Sequence, residues 1–216
     1  MRRMAVGIVA AGVLAVAPAV VLAEGPAFDC AKADGEVETL ICQDEGLATL
    51  DRKLDEVYKA ALGKARDDVP QALRTEQRGW IKGRNECWKA QGEDNPAFLT
   101  ASWQATSVRE CVEGQYQLRI SELQAQLQLV PAKGPVFFAC ENNPANEVVA
   151  TFFETDPPTA RLERGDRTVM VWLVRAASGS KYEGQNVEFW TKGDEATVTW
   201  IDEELTCHVN RPGGGK

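Results

Sequence analysis

Two short segments near the C-terminus carry side chains suited to a negatively charged cleft: Ser178-Gly179-Ser180-Lys181-Tyr182 and Phe189-Trp190-Thr191-Lys192-Gly193. Ser178 offers a hydroxyl on a glycine-containing turn. Lys192 follows fourteen residues later and brings three N–H donors and a full positive charge beside a second turn glycine. If both turns sit at the tip of one edge, hydroxyl and ammonium reach the same space. Such a pair meets carboxylates well, and a charge-assisted contact gains strength where water is excluded. Taken singly, Ser-Gly is an ordinary turn and Lys-Gly an ordinary hairpin end with a solvated lysine. Their joint spacing, inside the bracket formed by Cys140 and Cys207, carries the argument.

The elements around these segments read as short strands. Beyond residue 135 the apolar period is two, over Val136–Cys140, Val148–Phe153, Ala160–Glu163, Thr168–Val174, Val187–Thr191, Glu195–Ile201 and Leu205–Val209. Turn residues punctuate them at Asn142-Asn143-Pro144, Asp156-Pro157-Pro158, Arg164-Gly165-Asp166 and Gly193-Asp194. Many short, closely spaced strands indicate an antiparallel barrel or sandwich. Before residue 130 the period is near 3.6 instead, through Leu47, Leu50, Leu54, Val57, Tyr58, Ala61 and Leu62. A second helix starts near Asp67-Asp68-Val69-Pro70, with acidic residues and proline in its first turn, and Gly92 to Pro96 breaks it. A third carries Val108, Cys111, Val112, Tyr116, Ile120, Leu123 and Leu127. Leu129 to Pro135, with two prolines and a glycine, reads as the connection between the halves.

The N-terminus has the form of a secretory leader: Arg2 and Arg3, an uncharged apolar run from Ala5 to Val21, then Val21-Leu22-Ala23 before Glu24. Cys30 follows Ala27-Phe28-Asp29 rather than a run of small residues, which argues against a lipid anchor. A soluble periplasmic protein is expected. Six cysteines, at 30, 42, 87, 111, 140 and 207, then imply disulfides in an oxidising compartment. Sequence alone allows fifteen pairings. If the halves divide them four and two, Cys140–Cys207 follows and three options remain; nearness favours Cys30–Cys42 and Cys87–Cys111. No C-x-x-C pair points to zinc, so no metal is expected. The formal net charge is −8, and losing Arg2 and Arg3 with the leader makes it two units more negative. That excludes a nucleic-acid binder in the usual electrostatic sense and suits a basic protein partner.

The serine and lysine segments resemble the signature of the MliC/PliC family, proteinaceous inhibitors of c-type lysozyme from Gram-negative bacteria, over roughly residues 135–210. Ser180 stands where the pattern often has alanine, a small change. The first half is similar to the LprI N-terminal-like family of secreted bacterial proteins, on Phe28-Asp29-Cys30, Leu40-Ile41-Cys42, Leu50-Asp51 with Leu54 and Tyr58, Gln77-Arg78 with Trp80, Arg84 with Cys87, and Cys111 with Tyr116, Arg119 and Leu123. A mycobacterial lipoprotein of that type is associated with lysozyme inhibition. Together the resemblances imply two domains: a disulfide-stapled all-α helical domain followed by an all-β antiparallel eight-stranded barrel. The expected boundaries are a signal peptide 1–23, helical domain 24–129, linker 130–135, barrel 136–210 and tail 211–216. By resemblance, Ser178 and Lys192 match the residues that enter the lysozyme cleft and meet its catalytic carboxylates. Gly179 permits the loop's close approach, and Tyr182 braces the loop or lines the contact. The implied partner is c-type lysozyme, with no cofactor, no nucleic acid and no membrane anchor.

Enzyme chemistry finds little footing. His208 is the single histidine, expected on a strand face opposite Cys207, and G-x-S-x-G, H-E-x-x-H, phosphate-loop and dinucleotide motifs are missing from the sequence. Arg78, Arg84 and Arg119 are expected to pair with nearby carboxylates. The competing reading is a non-enzymatic envelope module that binds a peptidoglycan fragment or another envelope protein.

Overall fold

The computed structural model describes residues 24–100 and 103–211; the expected leader lies outside them. Four helices come first: α1 (Gly35–Gln43), α2 (Glu45–Lys64), α3 (Val69–Asn85) and α4 (Val108–Gln126), with 3₁₀ turns at Cys30–Lys32 and Glu86–Lys89. Asp44 caps α2 by accepting the Leu47 N–H at 2.9 Å. The helix then buries the adjacent Leu47 and Ala48, followed at steps of three or four residues by Asp51, Leu54, Val57 and Ala61, on one stripe. Ser107 caps α4 through the Glu110 N–H, while the Glu110 carboxylate reaches back to the Thr106 N–H.

Within the helical core, Arg84 is 4% exposed and donates to Tyr116, whose hydroxyl donates to Asp51 at 2.7 Å. Glu38 lies 3.4 Å from the same guanidinium. Burial pushes the Tyr116 phenol upward. Arg119 pairs with Glu122 and Glu76 as expected, whereas Arg78 donates to Thr75 instead. Carboxylate partners offset the cost of burying the Arg84 and Arg119 guanidinium groups, whereas Arg78 is exposed. The helical half also contains a two-stranded ladder, β1 (Ala97–Thr100) with β2 (Trp103–Ala105), in a stretch with no clear period. Leu99 of β1 packs against the helical core.

Eight further strands follow: β3 (Ala132–Cys140), β4 (Asn143–Phe153), β5 (Thr159–Arg164), β6 (Arg167–Val174), β7 (Ser180–Gly184), β8 (Val187–Lys192), β9 (Glu195–Trp200) and β10 (Glu203–Val209). They close in the order β10-β3-β4-β5-β6-β7-β8-β9, every pair antiparallel. Closure leaves no free edge. Inward residues Phe138, Val148, Leu162, Val171, Phe189, Val198 and Leu205 fill the barrel. β3 begins at Ala132, four residues before the expected Val136, because Ala132 and Lys133 already pair with Phe153 and Phe152; a register shift then passes Gly134 and Pro135. β7 was not among the strands read from periodicity. The β3–β10 seam has three register pairs and is stapled by Cys140–Cys207, directly opposite one another. The other disulfides are Cys30–Cys42 and Cys87–Cys111.

The two halves share a small core of their own. β6 turns Val171 inward, and its outward Met170 and Trp172 meet α4 beside Phe153 and Ala125. The Trp172 indole N–H donates to the Ser121 hydroxyl at 2.8 Å. Burying Met170 and Phe153 contributes about 1.5–3 kcal/mol each. α4 is therefore buried on two faces, with Val112, Tyr116 and Leu123 toward the helices and Leu118, Ser121 and Ala125 toward the barrel.

Candidate functional site

Barrel topology decides which turns meet. β6 rises to Val174, β7 descends from Ser180, β8 rises to Lys192 and β9 descends from Glu195. The 175–179 loop and the Gly193-Asp194 turn thus sit at one end, on adjacent hairpins. The last β7–β8 pair at that end is Ser180 with Thr191. Ser178 lies two residues beyond it on one side and Lys192 one residue beyond it on the other. Both are exposed.

Gly179 holds the loop against β8. Its φ is +70°, and a Cβ built there would lie 2.2 Å from the Thr191 carbonyl oxygen. A side chain is excluded on both conformational and steric grounds. The Trp190 indole N–H donates to the Ser178 carbonyl at 2.8 Å and anchors the same loop from outside. Phe189, its neighbour, points inward and is fully buried.

Some of the charges near this end are committed to ion pairs. Lys181 pairs with Glu183 at 3.0 Å and Glu188 at 2.9 Å. The hydrogen bond to Glu188, joined by the Glu183 contact and opposed by burial, holds its ammonium above the usual lysine range. Asp194 receives both oxygens' worth of bonding from Arg211, at 2.7 and 2.8 Å. Lys192 enters no salt bridge among the described residues. An exposed, uncommitted ammonium beside an exposed hydroxyl can donate to an acidic group on a partner without first breaking an internal ion pair.

Of the residues singled out in the sequence, Ser178, Gly179 and Lys192 therefore converge at one end of the barrel. Tyr182 does not join them at the surface. It is 8% exposed, inside the barrel, with ring centroids 5.7 Å from Phe152 and 6.4 Å from Phe189. It lies two residues along from the start of β7, and burial pushes its phenol upward. His208 is exposed while Cys207 beside it is buried, as alternation requires. Phe189 and Trp190 alternate in the sequence, which places one in the core and leaves the other to cap the barrel without saying which. The structure buries Phe189 and turns Trp190 outward, where the neighbouring hairpin loop supplies the indole's acceptor.

Comparison with known proteins bears on both halves. Residues 138–206 match the family model described as membrane-bound lysozyme-inhibitor of c-type lysozyme, MliC. Residues 30–123 match the model described as lysozyme inhibitor LprI. The chain is similar to Lipoprotein LprI of Mycobacterium bovis and of Mycobacterium tuberculosis, 28% identical over 188 residues, spanning 86% of this chain and 85% of the relative. Among solved structures it is similar to Pseudomonas aeruginosa MliC in complex with hen egg white lysozyme, at 27% identity and a TM-score of 0.32, covering 38% of this chain and 86% of that one. The first half of the chain thus matches the LprI model and the second half the MliC model, in the order its sequence motifs imply.

Proposed function

We propose that this protein is a non-catalytic inhibitor of c-type lysozyme that acts in the bacterial envelope, in the periplasm after removal of the leader. The observation that carries the reading is the convergence of Ser178 and the uncommitted Lys192 at one barrel end, within the MliC-matching span. A c-type lysozyme cuts its glycan with two carboxylates, one protonated as acid and one ionised. In the proposed complex the Ser178 hydroxyl and the Lys192 ammonium enter that cleft and donate to those carboxylates where the sugar would lie. The cleft excludes water, so the charged contact is stronger there than on an open surface. The acidic net charge of this chain steers it toward a strongly basic enzyme. The proposed benefit is protection of peptidoglycan from host or competitor lysozyme.

The direct test is a turbidity assay of residues 24–216, with disulfides formed, against hen or human c-type lysozyme on bacterial cell walls. Dose-dependent inhibition supports the reading. Absence of inhibition by folded protein in large molar excess refutes it for those enzymes.

A further inference from the structure

One contact at the exposed end of the barrel has no part in the donor pair described above. Trp190 is outward-facing and 39% exposed, yet its indole N–H is spent on the Ser178 main chain. The ladder does not reach that far: the flanking pairs are Ser180 with Thr191 and Val174 with Lys181. Ser178 therefore lies in a loop that regular strand pairing leaves unrestrained. Gly179 lets the loop approach the Thr191 carbonyl, and the same virtual Cβ lies 3.3 Å from the Trp190 indole nitrogen. The ring and the β8 backbone thus hold the loop from adjacent positions.

We infer that Trp190 is a positioning residue for Ser178: its indole N–H fixes the 175–179 loop against β8, so that the Ser178 hydroxyl is presented beside Lys192 before any partner arrives. The consequence for inhibition rests on the reading proposed above; the clamp itself belongs to the free protein. Preorganisation matters because a loop ordered only on binding loses affinity to its own entropy. The strand that supplies the clamp is the strand that ends in Lys192, so one rigid element registers both donors. The exposed ring also gives the loop a stiff wall, since an indole has only two side-chain torsions.

The test uses Trp190→Phe, which keeps an outward aromatic ring and removes the donor. In the free full-length protein, hydrogen exchange at the amides of residues 176–179 should rise by about tenfold or less, the range expected for losing one hydrogen bond, while β9 and β10 exchange stays unchanged. Inhibition should weaken by about three- to tenfold on the same basis. A merely structural tryptophan would weaken inhibition independently of Ser178. A positioning residue makes the effects non-additive, so Trp190→Phe should change little once Ser178→Ala is present. Unaltered loop exchange in Trp190→Phe overturns the clamp. Additive effects of the two substitutions overturn its action through Ser178. If the wild-type protein inhibits nothing while the variant's loop exchange still rises, the clamp stands and the inhibitory reading fails.

Discussion

Replacing Gly179 by alanine tests the site's construction most sharply, because the structure separates two costs at that position. The first is conformational. Gly179 and Gly165 both have positive φ, +70° and +59°, and an alanine in this region costs about 1–2 kcal/mol relative to its preferred backbone. The second is steric and differs between them. A Cβ at Gly165 meets nothing within 4 Å, whereas at Gly179 it lies 2.2 Å from the Thr191 carbonyl oxygen, a backbone atom held in the β8 ladder. The loop must move outward by roughly 1 Å or β8 must yield, an overpacking cost of about 1–3 kcal/mol. Gly165→Ala should therefore lower stability by about 1–2 kcal/mol and leave inhibition intact, since the β5–β6 turn is at the other barrel end. Gly179→Ala should lower stability by about 2–5 kcal/mol, or relieve the strain by displacing Ser178 and losing inhibition. Urea unfolding followed by the cell-wall assay measures both. If Gly179→Ala matches Gly165→Ala in stability and inhibits like wild type, the close approach of loop to strand is wrong.

Further expectations concern charge. Lys192→Ala should weaken inhibition by about 2–5 kcal/mol, as when one member of a buried charged contact is truncated; unchanged inhibition by the folded variant would remove Lys192 from the mechanism. Association with a basic lysozyme should slow as salt rises from low to physiological ionic strength, measured by surface-based kinetics, and a salt-independent rate would argue against electrostatic steering. In the helical half, Asp44→Ala should cost about 1 kcal/mol at neutral pH through loss of the α2 cap. The Leu47 N–H, then Arg109, hold the Asp44 carboxyl below its ordinary 3.8. A lowered folded-state pKa stabilises above the unfolded value and ceases to do so as pH falls through the folded one. The gap between wild type and Asp44→Ala should therefore be full near neutrality and close below pH 3.8, by denaturant titration across that range.

Much of the barrel was legible because its inward positions alternate and its turns carry glycine, asparagine and proline. Seven of the strands show this directly, from Val136–Cys140 to Leu205–Val209. β7 did not, because Ser-Lys-Tyr-Glu-Gly has little intrinsic strand preference. It is a strand because β6 and β8 offer it hydrogen bonds on both sides, with Tyr182 facing inward. The start of β3 was also hidden, since Gly134 and Pro135 read as a connection and only the Phe152–Phe153 end of β4 shows that Ala132 and Lys133 are already paired. The β1–β2 ladder was illegible for a related reason: it is short, and its Leu99 finds its core only on the folded helices.

Local chemistry determined a good deal by itself. The periods of 3.6 and 2, the capping of α2 and α4, and the turn residues are properties of neighbouring side chains and backbone, so they are readable without a fold. The Ser178–Gly179 and Lys192–Gly193 segments are likewise visible as a pair of polar turns. Tertiary structure alone decided that these turns share one barrel end, that Tyr182 lies buried inside the barrel, and that Trp190 reaches the Ser178 carbonyl. It alone decided that α4 has two buried faces, one on Tyr116 and Leu123 and the other on Ser121 and Trp172. Each of these depends on which strands and helices become neighbours across many residues of chain, a choice made by closing the barrel and burying α4 against it rather than by any local pattern.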